Sequence, residues 1–140
     1  MHLGIMTTAN PFQPFDGQKY LSLETFRKNG EGVRTPVWFA AGAAASAPNA
    51  APPPLYVYTI GNTGKVKRIR NNPRVRIAPC DARGNLRGEW VEARADIVTG
   101  AEAAEGIRLL NRKYRPWKQL LDFFAQFRPR EHVVFALRPV

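Results

Sequence analysis

The residues best suited to chemistry lie in residues 55–73, LYVYTIGNTGKVKRIRNNP. Residues 55–60 are aromatic and β-branched, which predicts a strand. Residues 61–64 (GNTG) read as a turn, and residues 65–71 (KVKRIRN) as a short helix that faces Val66 and Ile69 inward and leaves Lys65, Lys67, Arg68 and Arg70 polar. Asn72-Pro73 stops it. A turn that opens a helix collects free backbone N–H groups and the positive end of the helix dipole. Thr59 and Thr63 add hydroxyls and Lys65 adds a point charge, while Gly61 and Gly64 let a ligand approach the backbone closely. Amides that cradle, hydroxyls that orient and an ammonium that neutralises make a phosphate site. The same residues also describe an N-capped surface helix with a solvated basic face, and spacing leaves both readings open. The glycine spacing is neither that of a Walker loop nor that of a Rossmann fingerprint.

Other chemistries find little support. His2 and His132 are far apart in sequence and Cys80 is the single cysteine, so no metal-ligand spacing and no intrachain disulfide exist. Cys80 reads as a buried structural residue, and Glu89, Glu92 and Asp96 as solvated strand residues. No G-x-S-x-G elbow occurs. An enzyme built on this chain would take its reactivity from a cofactor. The formal charge of +10 and a pI near 10.5 attract anions, which admits nucleic acid, a membrane surface or a polyanionic small molecule. Tyr56 and Tyr58 could stack bases beside the basic run 65–70, but they sit at alternating positions that a barrel core would claim. No apolar run spans a bilayer and no leader is visible, so a cytoplasmic protein is expected.

Around this segment the 140 residues read as one domain over 19–140, preceded by an irregular arm over 1–18 that Phe12 and Phe15 pin to the body. Residues 19–27 (KYLSLETFR) alternate with period two, Asn29-Gly30 is a tight turn, and residues 33–40 (VRTPVWFA) resume a strand. Pro36 places that strand at an edge or bulge. Residues 41–54 form an Ala/Pro loop. Strands follow over 75–79, 87–98 and 131–139, and helices over 100–111 and 116–126. The stretch 113–127 (KYRPWKQLLDFFAQF) is amphipathic and aromatic; a helix packed on a barrel fits it better than a membrane-surface helix. The order argues a mainly β, α+β chain: an antiparallel barrel of six to seven strands with two to three packed helices.

Three stretches, YLSLETFRKNGEGVRTPVWF (20–39), LYVYTIGNTGKVKRIRNNPRVRIAP (55–79) and WVEARADIV (90–98), together resemble the pyridoxamine-phosphate-oxidase-like superfamily, and within it the small F420-dependent oxidoreductases. The resemblance covers about residues 19–139. It implies a split β-barrel, a homodimer with a cofactor site at each end of the interface, FMN or the deazaflavin F420 as cofactor, and hydride transfer to a small electron-poor substrate. Matched residue by residue, it implies that Thr35, Pro36, Val37 and Trp38 run beside the flavin ring. Tyr58 and Thr59 match the strand end, and Thr63, Gly64 and Lys65 the phosphate turn. Lys67, Arg68 and Arg70 share basic character with the following helix, of which Arg68 is taken as a cofactor contact. The F420 tail is polyanionic, and a groove of Lys65, Lys67, Arg68, Arg70 and Arg74 would suit it. The loop 41–54 is longer than the usual hairpin, and the C-terminal Arg/Trp signature of true pyridoxamine phosphate oxidases is missing. A non-catalytic cofactor carrier and a nucleic-acid-binding module are the alternatives of other classes.

Overall fold

The structure, a computed structural model, describes residues 10–43, 51–60, 64–115 and 132–140, with the backbone alone for Ile60 and His132. The strands are β1 (Tyr20–Phe26), β2 (Gly32–Ala41), β3 (Leu55–Ile60), β4 (Arg74–Cys80), β5 (Val91–Val98) and β6 (His132–Pro139), and the helices α1 (Gly64–Asn71) and α2 (Gly100–Lys113). The strands close into an antiparallel barrel in the order β1-β2-β3-β6-β5-β4. Period-two alternation decides which residues fill it. Leu21, Leu23, Val57, Ile77, Phe135 and Leu137 are fully buried inside, and Val66 and Ile69 of α1 join them from one end.

Residues 10–19 lead into the barrel, and residues 1–9 of the expected arm lie outside the described residues. A 3-10 turn over Gln13–Phe15 sets Phe12 and Phe15 edge-on, 6.0 Å apart, and Phe15 meets Phe39 of β2 in the same way at 6.0 Å. All three rings belong to the barrel core. The proposed helix over 116–126 lies outside the described residues.

Two expectations need correction. Tyr56 and Tyr58 are not in the barrel interior. Their parity on β3 puts them outside, where α2 covers β2, β3 and β6. Gly106 makes that contact close: a Cβ there would stand 3.0 Å from the Tyr56 ring and 3.1 Å from Val134. The Tyr56 hydroxyl donates to Glu102 Oε2 at 2.9 Å, which also accepts from Arg138 at 2.6 Å. Burial and then the Glu102 bond push the phenol up to about 12. Second, the strand expected over 87–98 begins only at Val91. Residues 81–90 instead fold back along β4. Arg87 N–H donates to the Pro79 carbonyl at 2.7 Å, Leu86 bridges Cys80, and Gly88 lets this segment approach the Pro79 ring.

Outside the barrel, the β1 register pairs Glu24 with Arg34 on one side and Arg76 on the other. The carboxylate accepts from both, at 3.1 and 2.8 Å, and both guanidinium groups lie against Trp90, at 4.7 and 5.1 Å from its ring centre. Glu24 is 5% exposed. Burial alone would raise its pKa, but the bonds and charges of Arg76 and Arg34 prevail and hold it below the ordinary 4.5. The arginines are 55% and 39% exposed, so the triad contributes less than the about 3–5 kcal/mol at stake in a fully buried pair. A depressed carboxyl stabilises the fold fully above its unfolded value and loses that contribution as pH falls through the folded value. Glu24→Gln is therefore expected to destabilise the protein at pH 7, with the deficit against the wild type shrinking as the pH drops below 4.5, read by urea unfolding across that range. A deficit independent of pH would contradict the assignment.

Candidate functional site

Strand β2 changes partners along its length. It pairs β1 over residues 32–38 but β3 only over residues 39–41. Beyond that point β3 continues through Ile60 on β6 alone. Pro36 falls where β2 has a partner on one side only, as its missing N–H allows. The parted edges open a cleft of about 280 Å³ lined by Pro36, Val37, Trp38, Tyr58, Thr59 and Lys65, together with Tyr20 and Leu110.

Six residues singled out in the sequence thus meet in one place. Thr59 has the inward parity of Val57 and is 9% exposed. Trp38 has the opposite parity to Phe39 and lies outside the barrel, stacked on Tyr114 with ring centres 4.6 Å apart and planes 6° from parallel. Lys65, in the first turn of α1, is half-buried, and no carboxylate among the described residues pairs with it. Burial, then the charge of Arg68, lowers its pKa. A half-buried ammonium without a carboxylate partner among the described residues is suited to an anionic ligand.

The other candidates lie elsewhere. Thr35 does not line the cleft, but its hydroxyl oxygen is buried with no hydrogen-bond partner among the described residues, as is Asn111 Oδ1. Leaving such an atom unpaired costs about 1–3 kcal/mol. Gly64 and Arg68 belong to a separate depression, beside Phe26, Arg27, Lys67 and Asn71. Helical spacing explains the division: positions 64, 68 and 71 share a face that Lys65 leaves. Arg68 Nε donates to Thr25 Oγ1 at 2.6 Å, and Arg74 pairs with Glu92 at 2.6 Å. The expected single basic groove of Lys65, Lys67, Arg68, Arg70 and Arg74 does not form. Thr63, with Gly61 and Asn62, lies outside the described residues, as does His2.

Sequence reasoning missed Tyr114, which follows α2 as its C-cap. In the register of β1 and β2, Tyr20 faces Trp38, so the next rung would join Lys19 to Phe39. The Tyr114 hydroxyl takes its place. It lies 2.6 Å from the Lys19 carbonyl and 2.8 Å from the Phe39 carbonyl, and accepts the Phe39 N–H at 3.1 Å. Burial pushes its pKa far up, so it stays protonated and can donate. Nothing in the spacing signals this, because residues 39 and 114 meet only through the packing of α2.

No family model matches the sequence, and no curated protein matches it. Solved structures do match its shape. An F420 reductase aligns at TM-score 0.54 and 21% identity over 92% of each chain. A candidate pyridoxamine 5'-phosphate oxidase from Listeria innocua aligns at 0.58 and 13% identity, over 89% of this chain and 86% of that one. The heme storage protein HutZ from Vibrio cholerae aligns at 0.63 and 15% identity, over 89% and 83%. The chain has the split-barrel fold of the pyridoxamine-oxidase-like proteins. At these identities the likeness extends to the fold alone.

Tyr114→Phe keeps the stack on Trp38 and removes the hydroxyl rung. It is expected to cost about 1–3 kcal/mol in denaturant unfolding, because three backbone groups lose a shared partner. An unchanged unfolding midpoint would show that the hydroxyl bears no part of the β1–β2 junction.

Proposed function

We propose that the protein binds F420 or FMN in the cleft between β2 and β3 and works as an oxidoreductase on a small electron-poor substrate. The observation that carries this reading is the convergence of Pro36, Val37, Trp38, Tyr58, Thr59 and Lys65 on one cleft. The donor set suits such a group. Lys65 supplies an uncompensated positive charge for a phosphate, and Thr59 a hydroxyl beside it. Pro36, Val37 and Trp38 offer backbone and an aromatic wall along a flat ring. Thr63 and Gly64 remain part of the proposed phosphate turn, and Thr35 brings an unpaired buried hydroxyl to the same strand. Arg68, committed to Thr25, is a weaker candidate.

When bound, the flavin or deazaflavin ring supplies the hydride. The chain's own part is to hold and shield. Trp38 is fixed by its stack on Tyr114, so the wall of the cleft is rigid and its geometry is set before any ligand enters. Tyr58 and Leu110 exclude water from the same cavity. No side chain of the cleft has the character of a strong acid, so a water molecule would deliver the accompanying proton. The overall charge of +10 favours a polyanionic cofactor, which is a mild preference for F420. A homodimer with the cofactor at its interface and a cytoplasmic location complete the proposal, without a nucleic-acid or membrane partner. Among the described residues no helix is long and apolar enough to cross a membrane.

The test is an absorbance and fluorescence titration with FMN, F420 and, because HutZ stores heme, hemin. FMN or F420 is expected to bind in the micromolar range, and Lys65→Ala to weaken it by about tenfold, the equivalent of about 1.4 kcal/mol. Failure of both to bind, or binding indifferent to Lys65→Ala, would remove the redox reading. A salt-steep affinity for an oligonucleotide in its place would favour the nucleic-acid alternative.

A further inference from the structure

Behind Trp38 lies a second and larger hollow, of about 600 Å³, bounded by the end of the N-terminal arm, Tyr20, Trp38 and the C-terminal end of α2. It shares Tyr20 and Trp38 with the cleft, so the two are neighbours. Its lining carries Lys19, Lys113 and Arg115, and no acidic residue. None of the three cations joins an ion pair among the described residues, whereas Arg27, Arg74, Arg94, Arg108 and Arg138 each pair with a carboxylate. Beside Gly17 and Gln18, the rest of the lining is aromatic: Tyr20, Trp38 and Tyr114. Trp38 and Tyr114 are stacked on each other, which fixes both rings.

Lys113 is held in place. Its ammonium donates to the Phe39 carbonyl at 2.8 Å and stands 3.6 Å from the Phe39 ring centre and 5.1 Å from that of Tyr114. One N–H is thereby used and two are left for a ligand. The residue as a whole is exposed, yet burial around the ammonium lowers its pKa to about 8, with no carboxylate among the described residues to reverse the shift. A cation anchored by a carbonyl, short of counter-charge and beside stacked rings is suited to a flat anion.

We propose that this hollow binds a planar aromatic carboxylate, its ring against Trp38 and its carboxylate on Lys113 and Arg115. As a place for the substrate of the neighbouring cleft, it names the acceptor class as an aromatic acid, and that role rests on the cofactor reading; the binding itself does not.

The probe is 2-naphthoate, with the uncharged 2-naphthamide as its partner, followed by calorimetry and tryptophan fluorescence on the full chain with and without FMN or F420. Naphthoate is expected to bind, and the amide to bind about tenfold more weakly. Lys113→Gln and Arg115→Gln should each weaken naphthoate by about fivefold or more, while Lys67→Gln, which removes the same charge from the far side of α1, should leave it unchanged. Among the described residues, the titratable and charged groups that line the hollow with Lys113 are Lys19, Arg115, Tyr114 and Tyr20. As Lys113 loses its proton, naphthoate affinity should fall severalfold between about pH 7 and pH 9 in the wild type and stay flatter in Lys113→Gln. Equal binding of acid and amide, or an affinity indifferent to Lys113→Gln and Arg115→Gln, would overturn the proposal. Arg115 is exposed, so its variant tests the idea even where the Lys113 variant folds poorly. Naphthoate binding without FMN or F420 binding would sink the cofactor reading and leave the anion site standing.

Discussion

Everything at the candidate site depends on how little of β2 is held by β3. A barrel strand normally has a partner on each side, but β2 pairs β1 over residues 32–38 and β3 only over residues 39–41. Had the pairing continued toward Gly32, the facing edges of residues 36–38 and 58–60 would have met in a ladder and no cleft would exist. Pro36 weakens that alternative, since it has no N–H to give. The long connection over residues 42–54 does not oppose the parting either; its base is closed by the Gly42 N–H on the Pro54 carbonyl at 2.8 Å, at the end of the short paired region. A strand held on one side for most of its length then needs support from elsewhere, and Tyr114 supplies it at the point where β2 crosses from one partner to the other. The hydroxyl ties the strand to the start of β1, and the ring holds Trp38 flat. One residue beyond a helix therefore controls both the backbone and the aromatic wall of the site.

The electrostatics follow the same division of the molecule. The chain has ten more basic than acidic groups, but the excess is not one patch. Glu24 neutralises part of it on the outer face of β1, between Arg34 and Arg76, and Glu92, Glu102, Glu105 and Asp96 each take an arginine. The cations without carboxylate partners are the ones to ask about, because burial of an uncompensated charge is unfavourable unless a ligand repairs it. Lys65 is half-buried in the cleft, and Lys113 is anchored beside the second hollow. Burial lowers the pKa of both, helped at Lys65 by the charge of Arg68, and no carboxylate among the described residues pairs with either. Arg68 itself is bonded to Thr25 and lines neither cavity.

The barrel was legible in the sequence because its information is local. Period two in residues 20–26 and 74–80, Asn29-Gly30 between β1 and β2, and the Val66/Ile69 spacing of α1 each specify their own element. Element order argued a barrel, and residue types brought out Thr59 and Lys65; Pro36, Val37, Trp38 and Tyr58, which line the same cleft, were singled out only through resemblance, which carries register that periodicity cannot. The failures share a cause as well. Tyr56 and Tyr58 read as core because alternation says which residues share a face, not whether that face looks into the barrel or under a helix. Residues 87–90 read as strand because their alternation is real, but the Arg87 bond to Pro79 turns them back before pairing with β4 begins at Val91. Tyr114, Lys113 and Tyr20 could not be found at all, since nothing local distinguishes a tyrosine that replaces a ladder rung from one that fills space.

A fold shared with an F420 reductase, a candidate pyridoxamine phosphate oxidase and a heme storage protein does not choose among flavin, deazaflavin and heme. The choice falls to side chains at the split. A heme iron calls for an axial ligand such as histidine, and this chain has only His2 and His132 to offer. The cleft between β2 and β3 presents a hydroxyl, an ammonium and a flat wall, the set on which the proposed phosphate and planar ring would rest, and among the described residues no group of three His, Cys, Asp or Glu gathers anywhere. In the proposed reading the ring rests at a fixed place, because Trp38 is held by its stack on Tyr114, and Lys65 reaches toward it from the first turn of α1. On that reading the site favours a ligand that carries its anionic and aromatic ends together, as a nucleotide-like cofactor does, over a free phosphate or an isolated ring.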